Sequence, residues 1–178
     1  MKNTKRTLLA AAVGFSLAAS CLAGDELDKR VALARSAAPA SISADATIMV
    51  DGKVVSKGSN GWICMPDTMP NDNAAMCNDA LWMKMMGAVG SKADFVADGV
   101  GISYMLQGDG GAGVSNATPY HPNPKMADDY TETGPHMMII VPKALLKGIT
   151  TDPSSGGPYV MWGDTPYAHI MVPLGDGS

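Results

Sequence analysis

Three histidines are the residues of this chain best suited to acid–base or metal chemistry: His121, His136 and His169. None belongs to a His-x-His, His-Glu-x-x-His or Cys-x-x-Cys pattern, so a metal site has to be assembled from separate segments. His136 and His169 each stand at or near the start of an apolar run that ends in proline. We therefore expect two neighbouring strands that bring the imidazoles within about 8 Å, the reach of paired or diagonal strand neighbours. The alternative is that each histidine makes only local hydrogen bonds.

Methionine is frequent, with 14 residues in a chain of 178. Thioethers beside histidines can bind Cu(I), so copper or other metal binding through His and Met is one alternative function. The other interpretation is packing, because Met83, Met85 and Met86 fall on one predicted helix and aromatic residues make up only 6% of the chain. Methionine is then the side chain available to fill gaps in the core.

Residues 107–135 lack periodicity and carry two weaker motifs. The run GDGGAG at residues 108–113 matches the dinucleotide fingerprint, but Pro119, Pro122 and Pro124 exclude the helix that would hold a pyrophosphate. The acidic residues Asp128, Asp129 and Glu132 could hold Ca²⁺ with backbone carbonyls, although no 12-residue calcium loop is present. We expect a glycine-rich turn and a solvated acidic loop, and long ordered loops often bind ligands.

Nucleophilic catalysis has no recognisable sequence motif here. The chain contains no Gly-x-Ser-x-Gly elbow, which marks the nucleophile of many serine hydrolases. Ser59, Ser103 and Ser115 remain candidates for a nucleophile only because a Ser-His-Asp arrangement is recognised by geometry and not by spacing. A serine-type or metal-assisted hydrolase is therefore an alternative to a non-catalytic protein.

Cys64 and Cys77 are expected to form a disulfide. Two cysteines separated by 12 residues in an exported protein pair more often than they persist as thiols. The bridge would fasten the end of one strand to the start of a helix. Closing a loop of about 14 residues stabilises the fold by roughly 3 kcal/mol through the unfolded state.

Residues 1–23 have the pattern of a signal peptide, with a basic start, an apolar run over residues 8–19 and small residues before an acidic segment. The apolar run is too short to span a bilayer, which needs about 20 residues. Cleavage before Gly24 places Cys21 and Ala23 at the positions that require small side chains. The alternative is a lipoprotein acylated on Cys21, although Ala18 stands where leucine is usual.

Both processing routes predict export. The protein is expected in the periplasm or outside the cell, with an outer-membrane lipid anchor as the alternative. Without residues 1–23 the 13 basic residues fall to 10 against 17 acidic ones, a net charge of −7. Such a balance argues against nucleic acid as a partner, because phosphate binding needs a basic surface.

The remaining pattern predicts short elements that would position these groups. A hairpin is expected at residues 47–50 and 53–56 around Asp51-Gly52, and a helix at residues 78–89 ended by Gly90. Further strands are expected at residues 62–65, 101–106, 136–141, 159–162 and 167–172, with a central position for 136–141. These elements indicate an α+β fold: a single domain with a mostly antiparallel sheet of about six strands, one clear helix and long Gly/Pro-rich loops. Residues 24–42 would form an N-terminal helix or spacer, and residues 43–178 the globular domain.

Several segments across residues 40–173 resemble a group of exported bacterial proteins with no assigned activity. They are NGWIC at 60–64, MCND at 76–79, GISYMLQG at 101–108, TGPH at 133–136, PYVMW at 158–162 and TPYAHIMVP at 165–173. The resemblance implies export and a single domain, and it implies no catalytic residue.

The sequence thus favours an exported, non-catalytic binding or envelope protein. Its partner would be an unidentified small molecule or envelope component. No cofactor is expected, and a metal ion stays open as a ligand. The alternatives are the two hydrolase types and a copper or other metal-binding protein that uses His and Met.

Overall fold

The computed structural model describes residues 14–175, and an eight-stranded sheet organises this part of the chain. Its strand order is β2-β1-β3-β4-β5-β8-β10-β9, and all neighbours are antiparallel except the parallel pair β1 and β3. The strands are β1 (Thr47–Val50), β2 (Lys53–Ser56), β3 (Ile63–Met65), β4 (Met76–Asn78), β5 (Gly101–Met105), β8 (His136–Ile140), β9 (Tyr159–Met161) and β10 (His169–Pro173). The predicted α+β class and mostly antiparallel sheet are confirmed.

The sheet has eight strands where about six were expected. The hairpin β1–β2 is confirmed, and its turn residues Asp51 and Gly52 have positive φ angles of 50° and 71°, which a two-residue hairpin turn requires. Strand β4 was not predicted, because three residues beside a Pro- and Asn-rich loop are too few to show a period of two. Its backbone pairs with β3 on one side and with β5 on the other.

Helix α3 (Ala80–Ser91) follows β4 directly. Its N-cap is Asp79, whose Oδ1 accepts a hydrogen bond of 2.8 Å from the Trp82 N–H. The predicted helix is confirmed, but it continues past Gly90 and ends at Lys92, which adopts the left-handed conformation with φ 55°. Trp82 and Met85 are buried on the face turned to the sheet.

Helix α1 (Gly14–Ser36) and the short α2 (Ala40–Ser43) lie before the sheet. The segment 24–42 is helical over residues 24–36 and 40–42, and its middle part belongs to the core, because Ala34, Ala37 and Ala38 are buried with residues of β1, β3 and β4. The Leu106 N–H donates to the Ala37 carbonyl at 3.0 Å. Residues 1–13, the basic start of the predicted signal peptide, lie outside the described residues. Within residues 14–175, no helix combines the length and apolar character needed to cross a membrane.

The two helices α1 and α3 cover opposite faces of the sheet. The α1 side buries Ile48 and Val50 of β1 together with Cys64 and Cys77. These cysteines lie directly opposite each other on β3 and β4 with a Cα–Cα distance of 3.9 Å, and the predicted disulfide is confirmed. The α3 side buries a core that includes these side chains: Met76, Trp82, Met85, Phe95, Met105, Met138, Ile140, Tyr159, Met161, Tyr167 and Met171.

The segment 107–135 is ordered although its sequence has no periodicity. It contains a small second sheet of β6 (Val114–Ser115) and β7 (Tyr130–Thr131) and a 3₁₀ turn at Pro124–Met126. The expected glycine-rich turn is present, with positive φ angles at Gly108, Gly110 and Gly111. Strand β6 follows this turn, so the helix needed for dinucleotide binding is absent from this described segment.

Candidate functional site

His136 and His169 lie on the same face of neighbouring strands but at opposite ends. Met138 pairs with Met171 across β8 and β10, His136 pairs with Pro173, and the same register places His169 across from Ile140. Four residues of strand correspond to about 13 Å. The expected neighbouring strands are confirmed, with both histidines on one face, and the four-residue offset gives each histidine its own set of contacts.

His169 is buried between two tryptophan rings. The ring centroids of Trp82 and Trp162 lie 5.2 Å and 5.0 Å from the imidazole, both edge to face. Nδ1 lies 2.9 Å from the Tyr167 carbonyl oxygen, which can only accept, so Nδ1 carries the hydrogen. Burial lowers the pKa of His169 to about 4. The His169 imidazole is therefore neutral. It packs in the core between the two tryptophan rings, which together form an aromatic box.

His136 is buried at the start of β8 and faces a carboxylate. Its Nδ1 donates to the Gly134 carbonyl oxygen at 2.7 Å, so the lone pair of the neutral ring is on Nε2. Nε2 lies 3.9 Å from Oδ1 of Asp109, and it has no hydrogen-bond partner. This separation is too long for a hydrogen bond.

Asp109 belongs to the glycine-rich turn after β5 and is held by the backbone of Thr133. Its Oδ2 accepts a 2.6 Å hydrogen bond from the Thr133 N–H, and its own N–H donates to the Thr133 carbonyl at 3.0 Å. Gly108 permits this approach, because a Cβ there would meet the Gly134 backbone at 3.0 Å. The Asp109 side chain is 15% exposed, so solvent reaches the pair from the turn.

Several neighbouring groups shift the pKa of the Asp109 carboxyl group. Burial raises the pKa of Asp109, and the neighbouring carboxylates of Glu132 and Asp72 raise it further. The imidazole of His136 and the hydrogen bond from Thr133 oppose this shift. The net direction is upward, so burial and the neighbouring carboxylates outweigh the imidazole and the hydrogen bond.

This arrangement is the one that metal ligands usually have in proteins. A ligating histidine donates its second ring N–H to a carbonyl, and a ligating carboxylate is itself hydrogen-bonded. His136 and Asp109 meet both conditions and turn one lone-pair atom each toward the other. An ion about 2.0–2.2 Å from each atom fits the 3.9 Å gap at a wide angle. Met105 of β5 lies directly across from His136 and can add a thioether.

The third histidine is elsewhere. His121 is half-buried in the 107–135 segment, and its Nδ1 accepts a 3.2 Å hydrogen bond from the Asn123 N–H. The structure therefore does not bring His121, His136 and His169 together. In residues 14–175 no cluster of three or more His, Cys, Asp or Glu side chains is placed to hold a metal ion.

The acidic residues of the 107–135 segment hold the loop together. Burial alone would raise the pKa of Asp129, but hydrogen bonds from the Ala117 N–H (2.6 Å) and the Ser115 hydroxyl (2.9 Å) lower it overall. Glu132 accepts from the Gly111 N–H at 3.0 Å. These bonds engage Oδ2 of Asp129 and Oε1 of Glu132 within the loop.

The serine candidates are engaged in structural contacts. Ser115 donates directly to Asp129, and Ser103 donates to the buried Asn78 side chain at 2.6 Å. Ser59 lies in the loop before β3, where its N–H donates to the Asp45 carbonyl. A serine nucleophile needs an adjacent base, and these two hydroxyls are not bonded to histidine.

Asp109 and Met105 were not recognised as site residues from the sequence. The available signal was weak: an acidic residue within a glycine-rich turn directly after a strand. No protein-family model, curated protein or solved structure matches the chain. The basis for a function is therefore the chemistry of the described side chains.

Proposed function

We propose that the protein is an exported, non-catalytic binding protein whose ligand is a divalent transition-metal ion held between His136 and Asp109. The observation that carries this proposal is the 3.9 Å separation of Nε2 and Oδ1, with the other polar atom of each side chain fixed by the backbone. Two lone-pair atoms that face each other in a buried place repel unless a proton or a metal ion lies between them.

Cu²⁺ is the ion we assign to this site. An imidazole nitrogen and a carboxylate oxygen bind Cu²⁺ and Zn²⁺, and Cu²⁺ is the tighter of the two in the order of divalent affinities. The thioether of Met105, across the β5–β8 ladder from His136, can add a third ligand. Because the Asp109 carboxylate is desolvated and lies near the carboxylates of Glu132 and Asp72, a bound cation also removes an electrostatic cost.

A binding role is favoured over a hydrolase because the side chains that could act as nucleophiles are engaged in other contacts. Cys64 and Cys77 are joined to each other, and the hydroxyls of Ser103 and Ser115 donate to other side chains. Export is supported by the signal-like start, by the disulfide and by the resemblance to exported bacterial proteins. Cleavage before Gly24 and acylation at Cys21 both leave the site unchanged, because the site lies on the sheet.

Titration calorimetry of the untagged exported protein with Cu²⁺ tests the proposal. We expect one bound ion per chain, with a paramagnetic resonance spectrum that shows coupling to a single imidazole nitrogen. Asp109→Asn should weaken Cu²⁺ binding by about tenfold to a hundredfold, as loss of a ligand or its support does. His136→Gln should do the same, and Asp109→Asn serves where His136→Gln fails to fold.

The matched controls are His121→Gln and Asp128→Asn, which change the same chemical groups outside the site. Both variants should bind Cu²⁺ as the wild type does. The proposal is overturned if the wild type binds no Cu²⁺ or if Asp109→Asn retains full affinity.

A further inference from the structure

A row of methionines crosses the sheet on the face that α3 covers. Met65 pairs with Met76, and Met105 pairs with His136. The β1–β3 and β4–β5 registers extend to place Met49 beside Met65 and Met76 beside Met105. Neighbouring strands are about 4.8 Å apart, so these side chains form a continuous row that ends at His136.

The outer end of the row opens into a cavity of about 450 Å³. Three thioether side chains line it: Met49 from β1, Met65 from β3 and Met69 from the loop that follows β3. Met69 is 67% exposed, so the cavity is reached directly from solvent.

The loop that carries Met69 is held rigidly by its own carboxylates. Asp72 accepts hydrogen bonds from the N–H groups of Thr68 (3.1 Å), Met69 (2.7 Å) and Ala74 (3.0 Å). The Asn73 N–H donates to Asp67 at 2.9 Å. The disulfide closes the same loop from the strand side. The backbone of Met69 is therefore fixed beside the cavity before any ligand arrives, which lowers the entropy cost of binding.

The charges at the cavity rim favour a cation. Asp51 and Asp67 both line the cavity, and Arg30 binds both, at 2.8 Å for Asp51. Two carboxylates and one guanidinium leave a local charge of −1, which attracts a cation. Arg30 binds Oδ2 of Asp51 and Oδ2 of Asp67, and the Asn73 N–H donates to Oδ1 of Asp67, so the three sulfur atoms are the soft donors of the cavity.

We infer that this cavity is a second metal site, which binds Cu(I) through the thioethers of Met49, Met65 and Met69. Thioether sulfur is a soft and neutral ligand that suits Cu(I) and is a poor ligand for Mg²⁺ or Ca²⁺. The inference goes beyond the His136–Asp109 proposal and does not rest on it, because the two sites use different ligands and different oxidation states. The inner thioether of Met76 separates them along the row.

Competition for Cu(I) against the chromophoric chelator bicinchoninate, without oxygen and with ascorbate as reductant, tests the inference. The untagged wild-type protein should take one Cu(I), and Met69→Leu should lower its Cu(I) affinity by roughly tenfold or more, because a soft ligand is lost. Replacing Met49, Met65 and Met69 together by leucine should abolish binding. Leucine keeps the apolar volume, so these variants should fold with unchanged circular dichroism.

Two control variants and one spectroscopic measurement separate this site from other methionines and from the proposed Cu²⁺ site. Met126→Leu removes a thioether that is 74% exposed but lies in a distant turn, and should leave Cu(I) affinity unchanged. Asp109→Asn should also leave it unchanged. X-ray absorption of the Cu(I) complex should show sulfur ligands. The inference fails if the triple variant binds Cu(I) like the wild type, if Asp109→Asn abolishes Cu(I) binding, or if the wild type takes none.

Discussion

Nε2 of His136 lies 3.9 Å from Oδ1 of Asp109, and one short segment orients both groups. The Gly134 carbonyl accepts from the other ring nitrogen, and the Thr133 N–H donates to the other carboxylate oxygen. Residues 133–136 thus hold the imidazole and the carboxylate at once. Two facing acceptor atoms in a buried place are stable as a pair only when a proton or a metal ion is shared between them.

Cu²⁺ should raise the melting temperature of the wild type and leave that of Asp109→Asn almost unchanged. A ligand that binds only the folded state stabilises it by about 2.7 kcal/mol at a free concentration about 100 times its Kd. Differential scanning calorimetry with and without Cu²⁺ measures the effect. His121→Gln should keep the full shift, and an equal shift in Asp109→Asn would contradict the assignment.

Replacing Cys64 and Cys77 together by alanine should reduce the free energy of unfolding by about 3 kcal/mol, because the unfolded chain loses a closed loop of about 14 residues. Urea denaturation measures the change. The melting temperature should fall without any new activity, since the cysteines are structural. Alkylation of protein isolated without reductant is the check: labelled thiols in the wild type would show that the bridge is not formed.

The stability of the protein should fall as the pH is lowered from about 6.5 to 4, and His169 should cause part of this fall. Burial holds the folded-state pKa near 4, whereas the unfolded imidazole has its ordinary pKa near 6.5. The unfolded state therefore binds the extra proton in this window, so the stabilisation is complete above pH 6.5 and decreases toward pH 4. The loss amounts to ~3 kcal/mol.

Urea denaturation at several pH values measures this dependence. His169→Gln should flatten the slope between pH 6.5 and 4, although its stability at neutral pH is lower. His121→Gln, which leaves the aromatic box intact, should keep the slope of the wild type. A wild-type slope in His169→Gln would show that other groups cause the acid sensitivity.

Asp79→Ala should destabilise the protein by about 1–3 kcal/mol, because one carboxylate caps helix α3 and also binds β5. Its Oδ1 accepts from the Trp82 N–H at 2.8 Å and its Oδ2 from the Ile102 N–H at 2.6 Å. Thermal denaturation measures the loss. Asp98→Ala, an exposed residue of the following loop, should change stability by less than about 0.5 kcal/mol, and equal effects of the two variants would contradict the capping role.

The hairpin, helix α3, most strands and the disulfide were predictable because each depends on local pattern or on cysteine count. Asp51-Gly52 needs only its own backbone conformation to form a turn, and Asp79 needs only the next three residues to cap a helix. The strands β4, β6 and β7 have two or three residues, too few to show a period. They exist because distant partners satisfy their backbone hydrogen bonds.

Residue types in the sequence limited the candidate chemistry to histidine, methionine and a few acids, but strand register decided which of them meet. A shift of one residue in β8 would turn His136 to the opposite face of the sheet. The register of the antiparallel pair β8–β10 also sets His136 and His169 four residues apart along the strands. Their similar positions in two apolar runs had suggested that the imidazoles pair. The approach of Asp109 to His136, and of Met69 to Met49 and Met65, depends on loops folded over the sheet. Such contacts between residues far apart in sequence leave no local pattern, because they are determined by the packing of the whole chain.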